Sequence, residues 1–384
     1  MQSKIRLFIL LANCLALGSF AASACSICQG FQNASSLREE GNKPAARAIF
    51  VVKSIKATLE KNGKGRTEFT IDKVVRAPAN WTPTPGLVME KYVPVEPGLG
   101  NRFLVFCDLE KGQLDAYRGI SLNSVEWEKY AIEAVRQNAT DQVSHLLFFL
   151  KHLESPTREI AADAFLEFAK ATDNALLAIS RQIPLENLRQ WLRDPKVPEN
   201  RLGLYAFLLG AQGKPEDLNF LSSLLKDQSP RAQSSHDGIL LALVRIHPEL
   251  GWKTLQGVLG ENETPLNLRL AGFRVLKGLF DGDASVQTRK NLHLVLQAAL
   301  KQGELSDLVI EELRRQKDWA LSAEILNRWG TKGFDTPIVK RAIIRYALTA
   351  PGNSSLAIFL QSLARQEPQL LSEVRESLLI PASR

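Results

Sequence analysis

The pattern of apolar and polar positions in this chain has two regimes, and the change falls after Ser124. In the first regime, Ala48 to Ala57 and Thr67 to Val75 are rich in β-branched and aromatic residues, and Lys61-Asn62-Gly63-Lys64-Gly65 between them supplies a turn. The two runs predict a hairpin. Prolines at 78, 83, 85, 94 and 97 break the next stretch. Only Leu87 to Tyr92 leaves room for a strand there, and it belongs at a sheet edge because proline brings no N–H to a ladder. Arg102 to Asp108 is the most apolar strand, and Lys111-Gly112 turns it back into Gln113 to Arg118. About five short strands within about 75 residues predict a small β-barrel, with Cys107 on its central strand. Ahead of them, residues 29–46 have room for one short helix around Leu37.

In the second regime strand signals stop and helical periodicity runs to the end, with Ser124 as the first N-cap. Leu292, Val295, Leu296, Ala299 and Leu300 fall on one helix face. Leu202 to Leu209 and Ile239 to Ile246 are apolar almost all round, so they require cover on both sides, as the inner layer of a stacked array provides. Helix starts carrying Pro and then Arg recur: Pro156 with Arg158, Pro198 with Arg201, Pro265 with Arg269, Pro337 with Arg341, and a fainter Pro230-Arg231. The prolines are spaced by about 42, 32, 35 and 72 residues, the last about twice 36, so a further start is expected near Gln302 or Ser306. Proline suits a first helical turn, where its missing N–H would have no partner in any case. In repeat length, in the early proline and in the small residues Ala161, Gly203, Ala271 and Ala342, the stretch 125–380 resembles HEAT repeats, which implies a helical solenoid.

The first regime has a resemblance of its own. The cysteine start Cys25-Ser26-Ile27-Cys28, the strand Ile49-Phe50-Val51-Val52, the strand Phe69 to Val75 and the run Asn101 to Phe106 look like the netrin and metalloprotease-inhibitor type of domain over about residues 25–120. That resemblance implies a barrel of the oligonucleotide- and oligosaccharide-binding (OB) type, with the N-terminal segment tied to it by disulfide. Two cysteines separated by two residues stand where the family has Cys-x-Cys, and its later cysteines are missing, so only the fold and the tether carry over. The expected fold class is multidomain α+β, a small OB-like β-barrel followed by an all-α HEAT-like solenoid. Its expected divisions are a signal peptide over 1–24, the β-domain over 25–120 and the repeats over 125–380.

Residues 1–24 begin with Lys4 and Arg6, continue through an apolar run from Leu7 to Leu17 and end in Ala22-Ser23-Ala24. This is the layout of a secretory signal, with an apolar run short of the roughly 20 residues a membrane span needs. Its removal takes Lys4 and Arg6 away and lowers the formal net charge from +7 to +5. So mild a basic excess, spread along the chain, lacks the density of a nucleic-acid-binding surface. Cys14 leaves with the signal, and Cys25, Cys28 and Cys107 remain in an oxidising compartment where pairing is expected. Either Cys25 is lipidated at the new N-terminus and Cys28 pairs with Cys107, or cleavage leaves no lipid and Cys25 or Cys28 pairs with Cys107, with one thiol spare.

Motifs for chemistry are scarce. Cys25 and Cys28 have the spacing of a redox pair, but no βαβ context surrounds them and no His follows Cys28 as covalent haem attachment requires. Nor do they find the two further ligands of a closed zinc site. His145 and His152 lie seven apart without the Glu of a His-Glu-x-x-His pattern, and read as structural. With no Gly-x-Ser-x-Gly elbow, phosphate loop or dinucleotide glycine pattern, no catalytic residue, metal or cofactor is assigned. Arg158, Arg201, Arg269 and Arg341 recur in register. They line a surface that receives acidic groups, or they form an internal ladder between repeats, for which the planar guanidinium is suited. The whole resembles bacterial exported proteins that join a small β-barrel module to HEAT-like repeats. The expected function is a non-enzymatic binding or scaffold protein, periplasmic or secreted. Its expected partner is another exported or envelope protein, not nucleic acid, and it meets a membrane only through a lipid on Cys25. The alternatives are an enzyme with its site where the β-domain meets the repeats, and a protease inhibitor acting through the mature N-terminus.

Overall fold

The computed structural model describes residues 33–379 apart from 62, 80, 95–100, 111–112, 139, 262 and 282–284. The expected signal peptide over 1–24, Cys25 and Cys28 therefore lie outside the described residues. The fold is mixed α+β, an antiparallel sheet followed by helices. Strands β1 (Ala48–Leu59), β2 (Gly65–Arg76), β3 (Gly86–Met89), β4 (Arg102–Glu110) and β5 (Gln113–Ser121) form the sheet in the order β3-β2-β1-β4-β5. The hairpin expected around Lys61 to Gly65 closes with Leu59 opposite Gly65, and its register slips at Ile49/Phe50, Val51/Val52 and between Ser54 and Lys56, bulges that bend β1.

Ala48 to Val52 on β1 and Phe103 to Cys107 on β4 are buried residue after residue. A strand covered on one face alternates apolar and polar positions, whereas a strand covered on both reads as a continuous apolar run. Here both faces are covered. Phe50, Val52, Phe69, Met89, Val105 and Cys107 belong to a core of the sheet's own, with Trp81 packed at 5.2 Å from Phe50. Ile49, Val51, Leu104 and Phe106 on the opposite face join a second core that runs from Leu37 through Trp127 and Tyr130 to Leu356 without a break.

The helices begin with the five-residue α1 (Leu37–Gly41), ahead of the sheet. After it come α2 (Val125–Val135), α3 (Gln142–Leu150), α4 (Arg158–Lys170), α5 (Asp173–Ser180), α6 (Leu185–Arg193), α7 (Leu202–Gly210), α8 (Asp217–Lys226) and α9 (Pro230–Gln233). Then follow α10 (His236–Ile246), α11 (Pro248–Gly260), α12 (Leu266–Asp281), α13 (Val286–Leu300) and α14 (Ser306–Arg315). The last are α15 (Ser322–Asn327), α16 (Pro337–Thr349), α17 (Ser354–Gln366) and α18 (Pro368–Leu379). The starts expected from the Pro and Arg series coincide with α4, α7, α9, α12 and α16, and α14 begins at Ser306, where the series has a gap. Ser124 caps α2 by accepting the Trp127 N–H, which satisfies one of the helix's orphan donors. Helices one to three places apart along the chain pack together: α10 on α7, α8, α11 and α12, α11 on α13, α14 on α16, and α16 on α17 and α18. Of the two runs apolar almost all round, α7 is buried throughout and α10 is buried from Ile239 to Val244, with Arg245 and Ile246 partly exposed, and the face Leu292, Val295, Leu296, Ala299 and Leu300 of α13 is buried as well. No helix among the described residues is long and apolar enough to cross a membrane.

Candidate functional site

Polar side chains concentrate where α1, the sheet and the first helices meet. Ser36 caps α1 by accepting the Glu39 N–H at 3.1 Å, and the Glu39 carboxylate accepts the Ser36 N–H at 3.2 Å, a reciprocal box. Asp163 and Glu167, one turn apart on α4, receive this segment. Asp163 Oδ1 accepts the Leu37 N–H at 2.7 Å and its Oδ2 the Tyr130 hydroxyl at 2.8 Å. Glu167 accepts the Ser36 hydroxyl and, at 2.8 Å, Arg38 Nε, while His145 Nε2 stands 3.5 Å away. On the sheet side, Glu40 is held by Arg118, by Lys43 at 3.0 Å and by the Tyr117 hydroxyl at 3.2 Å.

Asp163 and Glu167 are 8% and 3% exposed. Burial pushes the Asp163 carboxyl up to about 6 and the Glu167 carboxyl above its ordinary value, and it pushes the His145 imidazole down to about 4. Glu40 goes the other way, since Lys43 and Arg118 outweigh the burial that opposes its ionisation. Paired acids with raised pKa are the raw material of acid–base catalysis. Here, however, the carboxylate oxygens already accept from Ser36, Leu37, Arg38 and Tyr130, and the chain's own residues 36–38 sit where a substrate would have to. The cluster is a clasp that fastens the N-terminal segment to α4. A sequence signal for it exists: Ile160, Asp163, Ala164, Glu167 and Phe168 share one buried face of α4, so two acids occupy core positions.

The recurrent arginines work mostly inward. Arg201 is buried, donates to the Leu153 carbonyl at 2.9 Å, pairs with Glu154 at 3.1 Å and lies 5.9 Å from the Phe165 ring. Arg269, also buried, pairs with Glu304, and Arg341 pairs with Glu373 at 2.9 Å. Arg231 holds the carbonyls of Asp194 and Val197, and Arg274 grips Asp237 with bonds of 2.6 and 2.7 Å. Each of these bonds reaches a helix or loop 32 to 48 residues away along the chain, which makes a ladder whose Arg341 rung lies at the surface. Arg158 is exposed at the start of α4. The histidines do not converge: His145 lies in the clasp, and His152 packs edge-on against Tyr130 with ring centroids 4.8 Å apart. Among the described residues no group of three or more His, Cys, Asp or Glu is placed to hold a metal.

Cys107 is 0% exposed within the sheet's own core, and among the described residues it has no disulfide. Burial, with the Asp115 carboxylate adding to it, pushes its thiol up to about 12. A thiol held protonated is a poor nucleophile. In fully reduced protein at pH 8, Cys107 is expected to resist iodoacetamide while the fold is intact and to react once it is unfolded. Mass spectrometry of the cysteine peptides reads this directly, and labelling of Cys107 in folded protein at a free-thiol rate would contradict its burial.

On the surface of the array, α11 and α13 lie side by side and leave a groove of about 410 Å³. Trp252 and Gln256 wall it on one side and Asn291 and Leu294 on the other, with Glu249 and Lys253 at the rim. Leu294 is 42% exposed, an apolar side chain left open to solvent beside Trp252. Comparison of the chain with protein-family models, with curated proteins and with solved structures finds no match, so its function is read from the residues themselves.

Proposed function

We propose that this protein is an exported scaffold whose helical array binds another exported or envelope protein, with the α11–α13 groove as the contact. The groove carries the reading: it offers an aromatic anchor site, Trp252 beside Leu294, on a rigid pair of helices, the arrangement that accepts an apolar helix face or loop. The HEAT-like solenoid is supported by packing between helices one to three places apart and by the arginine ladder, since repeat arrays hold together through contacts between neighbours. The netrin- or OB-like barrel is supported by the approach of the two sheet edges: Lys91, just past β3, donates to the Tyr117 carbonyl on β5 at 3.4 Å, and the Met89 side chain lies over Gly119. In this reading the β-unit and the clasp hold the array close to an N-terminal anchor, either a lipid on Cys25 or a disulfide from Cys25 or Cys28 to Cys107.

Trp252→Ala combined with Leu294→Ala tests the contact. Losing a central aromatic anchor costs about 2 kcal/mol, or about 30-fold in Kd. The double variant is expected to melt as the parent does and to lose the partner that the parent captures by cross-linking in an envelope fraction. Equal capture by both proteins would remove the groove from the reading.

A further inference from the structure

A second cleft, of about 750 Å³, opens between α12, α14 and the start of α16, away from the α11–α13 groove. Four of its features concern charge. The Arg269 side chain lines it, is 7% exposed, and has a buried Nε with no hydrogen-bond partner. The N-terminus of α16 faces the same cleft through Thr336, Ile338 and Val339. This helix of 13 residues has no side-chain cap and no acid in its first turn, so the Ile338 and Val339 N–H groups and the positive end of the dipole are left open. Lys332 adds a third source of positive potential at the exposed rim. Against these stand Asp307 and Glu304, and Glu304, the ion-pair partner of Arg269, has a side chain 64% exposed. With its carboxylate largely in solvent, Glu304 can give way to an incoming anion that keeps the buried Arg269 charge paired.

We propose that this cleft is an anion-binding site, in which a carboxylate or phosphate group replaces Glu304 on Arg269 and accepts from the open N–H groups of α16. The buried guanidinium supplies a planar fork of donors to a group that carries two or three oxygens. The helix start supplies backbone donors to the same group. Of the four arginines in register, Arg269 combines a buried side chain, an unpartnered nitrogen and a cleft wide enough to admit a ligand.

Inorganic phosphate and a triglutamate peptide, each titrated into the full chain at low ionic strength and followed by backbone amide shifts, test the site. Both parent and variants carry the α11–α13 groove unchanged, so the outcome is independent of partner capture. Glu304→Gln removes the competing carboxylate from an exposed position without touching the core, and is expected to bind either probe about 3-fold or more tightly than the parent. Lys332→Gln is expected to bind more weakly, and 0.15 M salt to weaken binding in every form. Shifts at Ile338 and Val339 with both probes identify a general anion site; shifts with only one probe name the source of the group. No shift at these amides with either probe in Glu304→Gln, or equal affinity of Glu304→Gln and the parent, overturns the assignment.

Discussion

Gly238→Ala is expected to cost about 3 kcal/mol or more and to lower the melting temperature by about 5 to 10 °C. A Cβ at Gly238 would lie 2.0 Å from the Gly203 carbonyl oxygen and 2.8 Å from its carbon, both backbone atoms of α7 that cannot rotate away. The same closeness recurs about two turns further along α7 and one turn along α10, where a Cβ at Gly210 would meet the Ala242 Cα at 2.5 Å. These contacts let α7 and α10, buried on every side, approach until their backbones touch. A methyl there must push the two inner helices apart, and interiors packed to crystal density transmit the displacement. Gly257→Ala, on α11, is the control. Its Cβ would meet only the Glu261 carboxylate, at 3.2 Å, the free end of a flexible side chain. Helix propensity then decides, and this change is expected to stabilise by about 0.5 to 1 kcal/mol. Thermal melts of both variants check the pair; equal and small shifts would mean that α7 and α10 can separate freely.

That inner pair is legible in the sequence. Leu202 to Leu209 and Ile239 to Ile246 have no polar face, so each had to be covered all round, and Gly203 stood out as a residue that admits close packing. The strands were legible for a related reason: β-branched and aromatic runs fixed their places, and the double burial of Ile49 to Val52 explains why those runs do not alternate. What stayed hidden was pairing across distance. Ser36 and Glu167 are 131 residues apart, and nothing local to either announces the other. Asp163 and Glu167 carried a trace, as acids on a buried helix face, yet a trace that names no partner. The recurrent arginines show the same limit. Their spacing was visible in the sequence, while what each one meets, Leu153 and Glu154 for Arg201 and Glu304 beside a cleft for Arg269, depends on how neighbouring helices pack. The expected tether from Cys28 or Cys25 to Cys107 begins on residues outside those described.

A fragment covering residues 25–121 is expected to fail to fold, and one covering 25–170 to fold. A boundary near residue 120 follows from the change of period, but the core does not respect it. Ile49, Val51, Leu104 and Phe106 are each 0% exposed, and in the intact chain they face Leu37, Trp127, Tyr130 and the helices beyond. Ending the chain at Ser121 uncovers all four. At about 1.5 to 3 kcal/mol for each large apolar side chain, the loss is about 6 to 12 kcal/mol, as large as the whole stability of an ordinary domain. It also removes Asp163 and Glu167, to which the α1 segment is fastened, and Tyr130, which braces Asp163, so Leu37 loses the surface that holds it over the sheet. Extending to Lys170 restores α2, α3 and α4 together with both clasp acids. Amide dispersion in NMR and a cooperative melt separate the outcomes: the short fragment should show collapsed, poorly dispersed signals and the longer one a single transition. A short fragment that melts cooperatively would make the β-unit self-sufficient, with its outer face merely borrowed by the helices, and the strands would then owe their double burial to assembly after folding.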